Sequence, residues 1–193
     1  MIREVIVGTR DPGGAVHLAP MGVRRQDNRF LLAPYRPSRT LENLRAHPEA
    51  VVNFCDDVRV FAGCLTGRAD WPTTSSAVVG VPRLRDALAH SELRVLECEE
   101  DPERPRFSCQ EVHAEGHLPF RGFNRAQAAV IEAAILVSRL HLLSAAEVDR
   151  GLASLGVAVE KTAGERELLA WEWLLARVRE HRAPARVGRS APP

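Results

Sequence analysis

Arg36, Ser38, Arg39 and Thr40 fall within five positions, where an apolar run gives way to a helical pattern. Ser38 is placed to cap a helix reaching about Ala46, and a helix start presents free N–H groups at the positive end of its dipole. An anion is favoured there. Two guanidinium forks beside it can grip phosphate oxygens in a paired geometry that a hydroxyl cannot match. The chemistry expected of this stretch is the binding of a phosphate ester, with Arg36 and Arg39 as charge and Ser38 and Thr40 as hydroxyl ligands. Asn43 lies three residues past Thr40 and shares that face. The plainer reading is a capped surface helix with solvated arginines, and local pattern alone favours it.

Other groups carry weaker signals. Asn53 sits inside an apolar strand, where an amide needs a partner: a ligand's ring edge or the backbone. Met21-Gly22 would let a ring approach the backbone closely, or would form a bulge. Asp56-Asp57 is an acid–base pair or a solvated turn. Glu111, His113 and His117 alternate along one predicted strand and share a face. Their spacing is not a zinc motif, so a solvated face is expected and no metal is assigned. Asn124-Arg125 opens a helix and is within reach of a ligand or partner. Of Trp171 and Trp173, one is expected in the core and the other toward a partner.

These residues need elements to position them. Alternation and β-branched residues predict a strand over Ile2–Gly8. Asp11–Gly14 is a turn by composition, returning into Ala15–Ala19, and Pro20–Val23 bends the chain. Arg29–Tyr35, Val51–Cys55 and Val58–Leu65 read as further strands, as do Leu93–Glu99 and Arg106–His117. Thr66–Pro82 reads as a long loop and Arg83–His90 as a short helix. After Phe123 the composition turns helical. Asn124 caps a helix to Leu143, Ser144 with Glu147 forms a capping box for one ending near Gly156, and Thr162 opens a third through about His181. Strands first and helices last is the α+β class. The expected division is a barrel over residues 1–122, a helical subdomain over 123–182, and a disordered Pro/Arg/Ser-rich tail over 183–193.

The whole-chain composition narrows the function. Among 193 residues, 26 basic and 25 acidic side chains give a formal charge of +1. No global field draws the protein to nucleic acid or to membrane surfaces, so any basic site is local. The four cysteines form no CxxC pair and read as small buried hydrophobes of a reduced, cytoplasmic protein. The start MIREVIVGTR lacks the long apolar run of a secretory signal, and no run approaches a membrane span.

Four separated motifs, HLAPMGV (His17–Val23), LAPYRPSRTLENL (Leu32–Leu44), VVNFCDD (Val51–Asp57) and FNRAQAAVIEAAILVSRL (Phe123–Leu140), occur in this order. Together they resemble the DUF447 family, whose fold is an FMN-binding antiparallel split β-barrel shared with flavin reductases and pyridoxine-phosphate oxidases. The resemblance covers Val5 to about Val178. It implies a homodimer with FMN in a groove at the subunit interface. The phosphate would fall to Arg36, Ser38, Arg39 and Thr40, with Tyr35 and Asn43 beside them. The ring would lie against Ala19-Pro20-Met21-Gly22 and Asn53-Phe54-Cys55, with Asn124 near the cofactor. His17 stands where family members often carry an Asn or another polar residue. The resemblance further implies an oxidoreductase of unknown substrate, with NAD(P)H or a small molecule meeting the ring and a link to one-carbon or tetrahydromethanopterin metabolism. Two alternatives stay open: a non-catalytic FMN carrier or sensor, and a barrel that binds another phosphate ligand.

Overall fold

The alternation in the first residues yields β1 (Ile2–Arg10), which turns at Asp11 and returns as β2 (Val16–Gln26). The two strands pair antiparallel from Ile2 opposite Arg24 to Arg10 opposite Val16. The turn is closed by the Asp11 carboxylate, which accepts the Ala15 N–H at 2.9 Å, and by Gly14 at φ +90°, a conformation that favours glycine. β3 (Arg29–Leu32) follows, then α1 (Arg39–Ala46), β4 (Glu49–Phe54) and α2 (Val58–Leu65). Two short strands, β5 (Thr73–Thr74) and β6 (Arg83–Leu84), make a separate ribbon. The long strands β7 (Ala89–Glu99) and β8 (Arg106–Gly116) complete a closed barrel in the order β1-β2-β3-β8-β7-β4. Three helices end the chain: α3 (Arg125–Ser138), α4 (Ala145–Thr162) and α5 (Glu165–Arg182). The computed structural model describes residues 1–183, so all of the expected tail except Ala183 lies outside the described residues.

Inside the barrel, Val5, Val7, Phe30, Val52, Leu93 and Phe107 form one core, each about fully buried. Burying a Phe or Val side chain is worth about 1.5–3 kcal/mol, so this interior holds the strands in register. Leu41 and Leu44 of α1 enter the same core and stop one end of the barrel. The outer wall is also covered. Ile6 and Leu18 pack against Val60 and Phe61 of α2 and against Leu84 and Ala87. Val51 packs under Val79 and Val81. The opposite face of α2, Val58 and Ala62, joins Val130, Ala133, Leu152 and Leu174 of the three terminal helices.

The α+β barrel with terminal helices is the architecture the sequence predicts, with local corrections. Val58–Leu65, read as a strand, is α2. Asp57 caps it by accepting the Arg59 N–H at 3.0 Å, and its run is buried on two sides, so apolar spacing could not reveal the period. Arg83–His90, read as a helix, is β6, a turn and the start of β7. The Asn53 side chain takes the Leu84 N–H at 2.8 Å and the Phe54 carbonyl takes Leu88 N at 2.8 Å, so tertiary bonds replace helical ones. α3 stops at Ser138 rather than Leu143. α4 runs through Gly156 to Thr162, which closes that helix instead of opening the next; α5 starts after Gly164. Gly156 lies inside α4 with Trp171 beside it, the ring's Cζ2 lying in ordinary contact, 3.7 Å, from where a Cβ would sit. Both Trp171 and Trp173 are half-buried against the helical core, and Arg68 lies over the Trp173 ring at 4.2 Å. Among the described residues, no helix is long and apolar enough to cross a membrane.

Candidate functional site

The α1 end of the barrel holds part of the polar set that the sequence singles out: Ser38, Arg39, Thr40 and His17. Ser38 is extended (φ −156°, ψ 147°), and its hydroxyl accepts the Leu41 N–H at 3.3 Å, so the expected cap is in place. The N–H groups of Arg39 and Thr40 precede the first intrahelical bond and face outward along the dipole. Arg39 is exposed and Thr40 buried. His17 lies opposite Thr9, whose hydroxyl accepts from Asn43 Nδ2 at 3.0 Å. Burial, and after it the neighbouring Arg39 charge, push the His17 imidazole below its usual pKa. Among the described residues no carboxylate pairs with Arg39. A free guanidinium, two open N–H groups and a neutral imidazole at one helix start fit a phosphate monoester.

Arg36 does not join them. Its Nη2 ion-pairs with Glu100 and its Nε donates to the Asp101 carbonyl at 3.0 Å, while Arg45 takes Glu100 at 2.6 and 2.8 Å. Sequence spacing cannot tell the two arginines apart; the β7–β8 turn does, by supplying a carboxylate to one of them. Tyr35 is exposed beneath the Arg104 guanidinium at 4.2 Å. Asn43, bonded to Thr9, is buried rather than turned to the helix start.

The residues expected along a ring divide in the same way. Asn53 is 0% exposed. Its Nδ2 donates to the Ile6 carbonyl at 3.1 Å and its Oδ1 accepts from Leu84, so the amide is spent inside the protein and the expected ring contact gives way to a core bond. Asn124 is committed too: it accepts from Ala126 and Gln127 and donates to the Thr162 carbonyl at 2.9 Å, stapling α3 to the end of α4. Phe54 and Met21 lean on the barrel core, and Ala19 lies opposite Val7. A Cβ on Gly22 would stand 2.9 Å from Ile2 Cγ2, so the bare backbone admits that side chain. The Cys55 thiol is pushed up to about 12 by burial, which keeps it protonated and a poor nucleophile.

Past Cys55 a cleft of about 420 Å³ opens, lined by Asp56, Asp57, Arg59, Asp86, Arg121 and Arg166 among others. Asp57 is held there by Arg59 at 2.6 Å and by its capping bond, so it is a structural acid. A separate cluster lies on the outer face of β7 and β8, where His113 and His117, which the sequence places on one strand face, meet His90 and Glu92, which it does not single out. His90 and Glu92 stand opposite Glu115 and His113, and His117 reaches His90 at 2.9 Å. His113 and His117 alternate along a strand the sequence shows, but His90 falls in a stretch read as a helix, and only the register of β7 on β8 brings the two sets together. Glu111 leaves the group: a register shift beside Glu92 turns it to Ser91, whose hydroxyl it accepts at 2.6 Å.

A family model described as "Protein of unknown function (DUF447) N-terminal domain" matches residues 3–117, and a second, "Protein of unknown function (DUF447)", matches residues 124–176. No curated protein matches the chain. An FMN-bound protein from Methanosarcina mazei, of the same family model, superposes with a TM-score of 0.81 at 18% identity, covering 91% of this chain and 94% of that one. A flavoredoxin from Methanosarcina acetivorans superposes at 0.52 and 17% identity, over 60% and 69% of the two chains. A 2-nitrobenzoate 2-nitroreductase from Pseudomonas fluorescens superposes at 0.51 and 20% identity, over 59% and 64%. The shared fold is the split barrel expected from the sequence.

Proposed function

This chain belongs to the DUF447 family, and from that membership we propose that it is a flavoprotein holding FMN by its phosphate at the start of α1. The observation that carries this reading is Arg39, a guanidinium without a carboxylate partner among the described residues, at a capped helix start. It stands on a barrel whose neighbours include an FMN-bound protein. Arg39, the N–H groups of the first turn and Thr40 hold the ester; His17 supplies a further donor beside them. The ring then runs along the β2 backbone at Ala19, Met21 and Gly22 toward Cys55. A second copy of the chain closes the groove, which the exposed Leu118, Phe120 and Phe123 support.

Bound flavin supplies two-electron redox chemistry, and the protein's part is to bind, orient and tune it. The activity proposed is that of an oxidoreductase taking electrons from NAD(P)H or a small molecule, with one-carbon carriers of the tetrahydromethanopterin type as the acceptors to try first. A non-catalytic FMN carrier is the second reading; anaerobic mixing of the FMN-loaded protein with NAD(P)H separates the two.

Fluorescence titration with FMN tests the placement. Charge-assisted bonds are worth about 1.5–3 kcal/mol, so Arg39→Ala should weaken FMN binding by about 10- to 150-fold. Arg36→Ala, which removes a surface ion pair with Glu100, should change it by less than about threefold. Equal losses in the two variants would overturn the assignment. Absence of FMN binding by the wild type would end the flavin reading.

A further inference from the structure

From the β7–β8 cluster, and independently of the flavin reading, we infer that His90, Glu92 and His113 form a binding site for a divalent transition metal ion of the zinc type. His117 acts as the positioning residue behind His90. One donor atom from each of the three ligands lies within 4.8 Å of the others. Two imidazoles and a carboxylate are a donor set that zinc accepts, with a fourth position left for water or for Glu115, whose Oε2 is 3.9 Å from His113 Nε2.

The site is built rather than incidental. His90 and Glu92 have side chains 1% and 0% exposed. The Glu92 carboxylate is fixed by the Ala77, Val78 and Val79 N–H groups at 2.6, 2.7 and 2.8 Å, so it cannot turn away from the cluster. Its Oε1 also faces His90 Nε2 at 3.1 Å, close to the ligand–ligand edge of about 3.3 Å in a tetrahedral zinc site. On the far side of the ring, His90 Nδ1 meets His117 Nε2 at 2.9 Å. The second independent observation is His113 Nε2, a buried nitrogen without a hydrogen-bond partner among the described residues, lying across from Glu92. An unsatisfied buried polar atom is costly and calls for an explanation. A metal ion supplies it.

Proton bookkeeping allows the exchange. Without metal, His90 Nε2–H donates to Glu92 and His90 Nδ1 accepts from His117 Nε2–H. With metal on His90 Nε2, that proton moves to Nδ1 and donates to His117 Nε2, while His117 carries its own proton on Nδ1. Both rings stay neutral, no proton is released, and Glu92 keeps its three backbone donors. His117 then does for His90 what outer partners do for metal-bound histidines: it fixes tautomer and orientation. The His113 side chain is 33% exposed, which leaves its ring room to move in and close the triangle.

The test is a Co2+ titration of tag-free, chelator-treated full-length protein, followed by visible absorption and by melting temperature. The expected result is a d–d spectrum saturating at one equivalent, a raised melting temperature, and displacement of Co2+ by Zn2+. His113→Ala should lower the affinity at least about 100-fold while its metal-free melting temperature stays at the wild-type value. His117→Ala should lower it about 10- to 100-fold, the range for outer partners, and His117→Gln, which can still accept from His90 Nδ1–H, should recover part of that. No saturable binding, wild-type affinity in His113→Ala, or an intense thiolate charge-transfer band pointing to the cysteines would each overturn the inference.

Discussion

Asn53→Ala removes an amide that ties β4 to β1 of the barrel and to β6 of the ribbon outside it. In the wild type, its Oδ1 holds the Leu84 N–H at 2.8 Å and its Nδ2 holds the Ile6 carbonyl at 3.1 Å, all three residues being buried. The variant leaves the buried Leu84 donor without a partner, which costs about 1–3 kcal/mol. The lost side-chain volume adds about 1 kcal/mol as a small cavity. The sum is about 3 kcal/mol, a large share of a typical stability of about 5–15 kcal/mol. For a chain of this length each kcal/mol moves the melting temperature by about 2–4 °C, so calorimetry should show a drop of about 6–12 °C. Urea unfolding should show a lower midpoint with an unchanged slope. FMN affinity of the folded fraction should stay at the wild-type value. A melting temperature within about 2 °C of wild type, together with weakened FMN binding, would refute the reasoning and return Asn53 to the ring edge.

Two further outcomes test the packing and the electrostatics. At Gly63 inside α2, alanine would gain about 0.5–1 kcal/mol of helix propensity. Its Cβ would stand 2.5 Å from Trp71 Cζ2, and Trp71 is tethered by its Nε1 donating to the Arg68 carbonyl at 2.9 Å. Overpacking of that kind costs about 1–3 kcal/mol, so Gly63→Ala should lower the melting temperature by a few degrees; a rise would refute the contact. The stability should also fall in acid, in two stages. Burial, chiefly, holds the His17 and His117 imidazoles below their usual pKa, so their neutral forms favour the fold and stability falls as pH drops below about 6.5. Burial pushes the Glu92 carboxyl up, but the Val79, Ala77 and Val78 N–H groups and His90 outweigh it and hold it below the usual range. Its contribution is present above about pH 4.3 and is lost as pH falls toward the folded value. Urea midpoints measured from about pH 7.5 down to about pH 2.5 span both stages, and a flat profile would refute them.

The barrel was legible because its strands alternate over long runs and its turns carry Asp, Gly and Asn at the reversals. The helix caps at Ser38, Asn124 and Ser144 were legible for a local reason, since each hydrogen bond spans only two or three residues. What failed to show was tertiary. The apolar stretch Val58–Leu65 is buried on two faces, and such a run has no period to read. At the candidate site, Arg36 and Arg39 are equivalent as sequence and differ only because Glu100, sixty-four positions from Arg36, captures one of them. Asn53 was recognised as an amide in need of a partner, but the partners, Leu84 and Ile6, lie on segments whose pairing no local pattern records. His90 and Glu92 escaped notice because half of that pair fell in a stretch read as a helix.

The eight residues of α2 carry the seam between the two regions that the family models divide. Val60 and Phe61 look toward the barrel, while Val58 and Ala62 look toward the terminal helices. The connector between residues 117 and 124 therefore bears little of the load. A protease cutting there would leave two pieces still clasped, and melting should carry both away in one step. The helical region is less a pendant than a splint, bound to the barrel through a rod that belongs to the barrel's own half of the chain.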